Sequence, residues 1–136
     1  MFTKKLLHTT EVAKIFYYNE LKTIEIVWYN NILLDNNIYK EPFCDIVELS
    51  LTYEIKNLIS DVRNQGVVPP SEKNWLKYNL LPLINNFKME KIAILNNNNI
   101  FKNYYINAIS KLINSYKVSI KVFNNNNKAI NWIYKN

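Results

Sequence analysis

The chain has 136 residues, with 17 Lys and Arg against 11 Asp and Glu and a formal net charge of +6. At about 150 residues per domain this length predicts one domain over 1–136, and 49% hydrophobic and 14% aromatic residues are enough for a packed core. One Cys excludes a disulfide framework and a Cys-based zinc site, one His excludes a His-rich metal cluster, and one Gly excludes a Gly-rich phosphate loop, so neither metal nor cofactor is expected.

In chain order, Ala13 to Asn19 and Thr23 to Asn30 read as a β-hairpin turning at Glu20-Leu21-Lys22. Ile24, Ile26 and Trp28 share one face at period two, with Thr23 and Glu25 on the other. The segment before it is expected to be mobile and His8 solvated. Asn30 to Lys40 has no period and reads as loop. Glu41-Pro42 then reads as a helix start, with Pro in the first turn. Phe43, Val47, Leu51 and Ile55, joined by Ile46 and Leu58, predict a helix of about 15 residues ending near Asn57.

Leu58 to Val62 is short, apolar and β-branched, which predicts a strand. Arg63-Asn64-Gln65-Gly66 is polar, and Val67-Val68-Pro69-Pro70 is extended because Pro disfavours helix in the residue before it. Ser71 is a good N-cap for a second helix burying Trp75, Leu76, Leu80, Leu83, Ile84 and Phe87, with a kink expected from Pro82. Lys91 to Leu95 is a continuous apolar run that suits a strand buried on both faces. A third helix follows Asn96 to Asn99, with Phe101, Tyr104 or Tyr105, Ala108, Ile109 and Leu112 inward. Val118, Ile120 and Val122 alternate with polar residues as in a half-exposed edge strand. Asn124 to Asn127 leads into a last helix carrying Ala129, Ile130 and Ile133. The order β-β-α-β-α-β-α-β-α predicts an α/β fold, with an N-terminal hairpin and then a mixed, mainly parallel sheet with helices packed on it.

No apolar run reaches the ~18–20 residues of a membrane span. Met1 to His8 lacks the apolar core and cleavage site of a signal peptide, so the expected location is cytoplasmic. The positive charge invites a nucleic-acid reading, but the lysines are scattered singly and only Arg63 offers the planar fork suited to phosphates and base edges. Nucleic acid is not the expected partner. The two Asn runs read as turns and caps, since Asn caps helices and tolerates the left-handed backbone region.

The strand Leu58–Val62, the stretch from Asp61 through Arg63, Asn64 and Ser71 to Glu72, Trp75, the internal Pro82 and the earlier Trp28 resemble the SpoIIAA-like group of small bacterial proteins, described as STAS/Sec14-type domains. The resemblance covers nearly the whole chain in element order. It implies a small STAS-like α/β sandwich. True STAS domains include anti-sigma-factor antagonists switched by a phosphorylated Ser at a helix start soon after an Asp. Here Asp61 is followed by Val62-Arg63-Asn64 and the nearest later Ser is Ser71, so the switch motif as such is absent. The Sec14 side of the resemblance implies a pocket for an apolar ligand.

In open α/β sheets ligands bind at the carboxyl ends of the strands, so Asp61 to Gln65, Asn96 to Asn99 and Asn124 to Asn127 are expected along one rim. The candidate ligand- or partner-binding residues are Asp61, Arg63, Asn64, Ser71 and Trp75. Against this stand plainer roles. Arg63 would hold Asp61, Gly66 would supply a positive φ in a turn, and Ser71 would cap a helix rather than accept phosphate. Cys44 near a helix start reads as a small buried apolar residue more readily than as a nucleophile with His8. Tyr17, Tyr18, Tyr29 and Tyr39 are hard to bury together and would form a contact surface if exposed.

Three functions remain distinct. The expected one is a non-enzymatic STAS-like binding or regulatory domain acting through protein contacts, with another protein or a second copy as partner. The alternative is a carrier of a small apolar or lipid-like ligand, which needs an internal apolar cavity of several hundred Å³. The third is an enzyme built on Asp61, Arg63 and Glu72, which needs all three to reach one substrate.

Overall fold

The computed structural model describes residues 2–29, 36–65, 78, 86, 88–97, 100–114 and 116–135. The β-branched and aromatic run from residue 13 to 28 folds back on itself as the hairpin β2 (Ala13–Tyr18) and β3 (Thr23–Trp28). Tyr17 pairs with Ile24, Ile15 with Ile26 and Ala13 with Trp28, which sets the large apolar side chains on one face. Preceding them is β1 (Lys5–Thr9), antiparallel to β2. After α1 (Asn36–Leu49) come β4 (Asn57–Asp61), β5 (Lys91–Leu95), α2 (Ile100–Asn114), β6 (Ser119–Phe123) and α3 (Asn126–Tyr134). The six strands lie side by side in chain order. β3, β4, β5 and β6 run parallel, so the sheet is an antiparallel meander joined to a parallel half. The α/β fold class and mixed sheet are as the alternation of patterns predicts. Apart from residues 78 and 86, the second helix expected after Ser71, with Pro82, lies outside the described residues.

Both faces of the inner strands are buried. On one, Ile15, Ile24, Ile26, Trp28, Leu58, Ile92 and Ile94 pack with Phe43 and Ile46 of α1 and with Ile106 and Ile113 of α2. On the other, Tyr18, Ile59, Ala93 and Leu95 pack against Ala129 and Ile133 of α3. Trp28 anchors the first face, its ring centroid 5.6 Å from that of Phe43 and its Nε1 donating to Ser60 Oγ at 3.1 Å.

Several local expectations are corrected. His8 sits on β1 beside Ile15 rather than in a mobile segment, with its Nε2 3.3 Å from Asp45 Oδ2 on α1. This edge strand hides its pattern because its side chains are largely exposed and its register shifts between Leu6 and His8. α1 begins at Asn36, so Pro42 lies inside it. The helix also stops at Leu49, where the Tyr53 and Thr52 amides both donate to the Leu49 carbonyl. The apolar spacing that continues past Leu49 is accidental, since Leu51 is 86% exposed. Cys44 is therefore mid-helix, and it is exposed rather than buried. Tyr17 and Tyr18, adjacent on β2, point to opposite faces and are both buried. In α2 the inward positions include Ile106 and Ile113, two turns apart, while Ala108 is exposed.

Three described residues with positive φ are lysines: Lys22 at 51°, Lys88 at 52° and Lys117 at 60°. Each stands just before a parallel strand, where a glycine or asparagine would ordinarily be expected. Asn125 instead caps α3, its side chain accepting from the Lys128 amide.

Candidate functional site

The parallel strands end together. The Val62 amide donates to the Leu95 carbonyl and the Asn96 amide to the Phe123 carbonyl, so the polar segments after β4, β5 and β6 sit side by side along one rim. Asp61 closes β4 and is buried, and Arg63 folds back on it. The guanidinium Nε reaches Asp61 Oδ1 at 2.9 Å and Nη2 reaches Oδ2 at 2.8 Å, and the Arg63 amide donates to Oδ1 at 3.2 Å. This two-pronged hold raises the affinity of Arg63 for its proton, the Asp61 hydrogen bonds outweighing the opposing effect of burial. The arrangement is the internal pair that the plainer reading of Arg63 requires.

Next along the rim is Asn96, 2% exposed. Its Oδ1 accepts from the Asn97 amide at 3.0 Å and its Nδ2 donates to Asn103 Oδ1 on α2 at 2.6 Å, which ties the loop to the helix. Asn64, Asn97 and Asn124 are exposed. The rim thus presents these amides beside the partly exposed Arg63 and beside Lys128, whose Nζ lies 3.5 Å from Asn124 Oδ1, with its one described carboxylate turned inward onto an arginine.

Beneath the rim, on the α3 face, lies a group that the sequence pattern did not single out. Glu25 of β3 is 1% exposed, and its Oε1 receives Lys4 Nζ at 2.9 Å. Burial pushes its carboxyl above the ordinary glutamate value. The Lys4 hydrogen bond and charge pull the other way, Asp61 adds to the rise and Arg63 opposes it. Lys4 also lies 4.2 Å over the Phe16 ring. Tyr18 shares this face. Burial raises its phenol, while Asn126, whose Nδ2 donates to the hydroxyl at 3.3 Å, lowers it. One signal was available for Glu25. It is an acid inside the run Ile24-Glu25-Ile26-Val27-Trp28, and such a run marks an inner strand with both faces covered.

A groove of about 240 Å³ opens at the other end of the sheet, lined by Lys4, Lys5, Asn19 and Glu20 beside Tyr17 and Tyr53. The Tyr17 hydroxyl donates to the Glu54 carbonyl at 2.7 Å, and its ring lies 4.9 Å from that of Tyr53. Burial raises the Tyr17 phenol, with the Glu54 charge adding to it. The tyrosine rings give this lining apolar surface, and the lysines and Glu20 bring charge beside it.

Of the residues expected to form a site, the structure places Asp61, Arg63 and Asn64 together. Ser71 and Trp75, with Gly66 and Glu72, lie outside the described residues. Among the described residues no group of three His, Cys, Asp or Glu side chains is arranged to hold a metal ion. Among them, too, no helix is long and apolar enough to cross a membrane.

No protein-family model matches the chain, and no curated protein sequence does. Among solved structures, it is similar to an uncharacterised protein of the DUF3478 family from Shewanella loihica PV-4, which has a SpoIIAA-like fold. The two are 15% identical, the match covers 97% of this chain and 93% of that one, and the TM-score is 0.57. At that identity the likeness speaks for architecture alone, and it agrees with the mixed six-stranded sheet and its helices: the chain has a SpoIIAA-like fold.

Proposed function

We propose that this chain is a non-enzymatic binding or regulatory domain that acts through protein contacts, as one domain over 1–136. The observation that supports it most is the composition of the strand-end rim. Acid–base chemistry needs an ionisable group that can give and take a proton within reach of a substrate. Here Asp61 is held by both prongs of Arg63, and Glu25 is buried against Lys4. Among the described residues the outward groups include the amides of Asn64, Asn97 and Asn124, and no free carboxylate stands among them. Amides both donate and accept, which suits peptide groups of another protein. The carrier alternative gains no support from the groove near Tyr17, which at about 240 Å³ is open and smaller than the enclosed cavity of several hundred Å³ that an apolar ligand needs.

Cross-linked capture with the full chain as bait tests this reading. One protein should be enriched at near-equal amounts with the bait, and the combined variant N64A, N97A and N124A should recover about tenfold less of it. Equal recovery by a folded variant, or enrichment of no protein, contradicts the reading.

A further inference from the structure

The net charge of this protein is unevenly distributed. All eleven carboxylates lie within residues 1–90, where ten basic residues balance them. Residues 91–136 carry seven lysines and no acid. That stretch is β5, α2, β6 and α3, so these seven lysines lie on the elements around the β6 end of the sheet, where the nearest described carboxylate is that of Glu90, whose carbonyl accepts from the Ser119 amide. One of the seven has an internal task. Lys91 donates to the Trp132 and Lys135 carbonyls at 2.7 and 2.6 Å, completing the C-terminal end of α3. Lys111 on α2, Lys117 before β6, Lys121 on β6 and Lys128 on α3 are all exposed. The ion pairs among the described residues join Lys4 to Glu25, Lys56 to Glu54 and Arg63 to Asp61, His8 lies against Asp45, and none of these contacts involves these four.

At the same end, among the described residues, the sheet finishes on an open strand edge. Among the described residues β6 pairs with β5 and with no strand beyond it. The Ser119 amide donates to the Glu90 carbonyl and the Phe123 carbonyl accepts from the Asn96 amide, so these residues turn their backbone groups towards β5. Alternation along the strand turns the N–H and C=O of Ile120 and Val122 outward. Val122 is also 42% exposed.

We propose that the β6 edge is a docking strand for an extended, acidic segment of another protein, which adds to the sheet beside Ile120 and Val122 and places its carboxylates against Lys117 and Lys121. The proposal rests on the reading that the chain works through protein contacts, and it names a surface beside the rim. Three arguments select this occupant. The outward amides and carbonyls ask for another backbone, which a peptide supplies and a nucleic acid does not. A second copy of the chain would oppose its own lysines to these, and edge lysines are a common barrier to such self-pairing. An acidic strand turns that repulsion into attraction and brings speed to the encounter.

The test uses the full, isotopically labelled chain and synthetic peptides of about eight residues, the length of an ordinary strand. One alternates Glu with Val, and its counterpart alternates Lys with Val. The Glu peptide should move the backbone amide signals of Ile120 and Val122 and slow their hydrogen exchange, and the Lys peptide should do neither. The double variant K117E and K121E should bind the Glu peptide about tenfold more weakly. Val122→Pro, which removes an outward amide without altering charge, should weaken it as well while the other amide signals stay in place. Shifts confined to other strands, or equal binding of both peptides, would overturn the proposal. So would a response spread over Lys111 and Lys128 that short duplex DNA or anionic vesicles reproduce, since that marks a general anionic attraction. The capture experiment separates the two levels of the argument. A partner recovered equally by wild type and by K117E and K121E keeps the protein-contact reading and removes this edge, whereas recovery of no partner removes the reading itself.

Discussion

Arg63 grips Asp61 with two prongs across a two-residue turn, at 2.9 and 2.8 Å, and so neutralises a buried carboxylate at the end of β4. Arg63 is the only arginine in the chain, in a protein that otherwise uses lysine. A lysine is a point charge and cannot reproduce a planar fork. Arg63→Lys should therefore lower stability, and Arg63→Ala should lower it by about 1–3 kcal/mol because Asp61 stays buried without its partner. Denaturant titration of both variants, combined with Asp61→Asn in a double-mutant cycle, measures the coupling. A coupling indistinguishable from zero would contradict the clamp.

Glu25 makes stability depend on pH in a direction opposite to that of most carboxylates. Its folded-state carboxyl lies above the ordinary glutamate value. The folded state thus holds the proton more tightly than the unfolded chain does. The associated stability is fully present below the ordinary glutamate value and is lost as pH rises through the elevated one. Glu25→Gln removes that loss. The stability of the variant relative to wild type should rise with pH across this window and be level above it. Melting curves at closely spaced pH values measure the difference, and a flat or falling difference contradicts the assignment.

Much of the fold was legible because burial on one face leaves a period and burial on both leaves a continuous apolar run. β5 matches its apolar run, β2 and β3 match their alternation, and α3 shows Ala129, Ile130 and Ile133 at helical spacing. β1 was not legible because an edge strand with exposed side chains and a shifted register has no period to show. The bounds of α1 are not legible in the sequence because Pro42 fits a first turn equally well and because Leu51 continues the spacing by chance. At the rim, the position of Asp61 and Arg63 followed from strand order. The burial of Glu25 did not, because single-strand alternation says nothing of what α3 and the N-terminal residues bring to the second face.

Lys22 holds a left-handed backbone, φ 51°, at the turn into β3. The Lys22 carbonyl accepts from the Lys56 amide at 2.8 Å, which fixes that turn against the start of β4. A side chain with a Cβ pays for this conformation in steric repulsion, on the order of 1 kcal/mol, and glycine does not. Lys22→Gly should therefore raise the melting temperature despite the greater freedom of glycine in the unfolded chain. A clear fall would mean that the Lys22 side chain contributes more than the backbone geometry implies.

Trp28 contributes through both its ring and its indole N–H. Trp28→Phe keeps an aromatic ring near Phe43 but loses the hydrogen bond to Ser60, a cost of about 1–2 kcal/mol. Trp28→Ala also opens a cavity between the sheet and α1, with a cost of about 3–5 kcal/mol. Denaturant midpoints should fall in that order, and equal losses would contradict the packing described.

The central claim is that this SpoIIAA-like domain works through contact with another protein. Native mass spectrometry of the chain gently purified from its own cells tests it most directly. The account predicts a second polypeptide in fixed ratio with the chain, lost on denaturation. A native mass raised only by a small molecule, with no second polypeptide, would contradict it and favour the carrier.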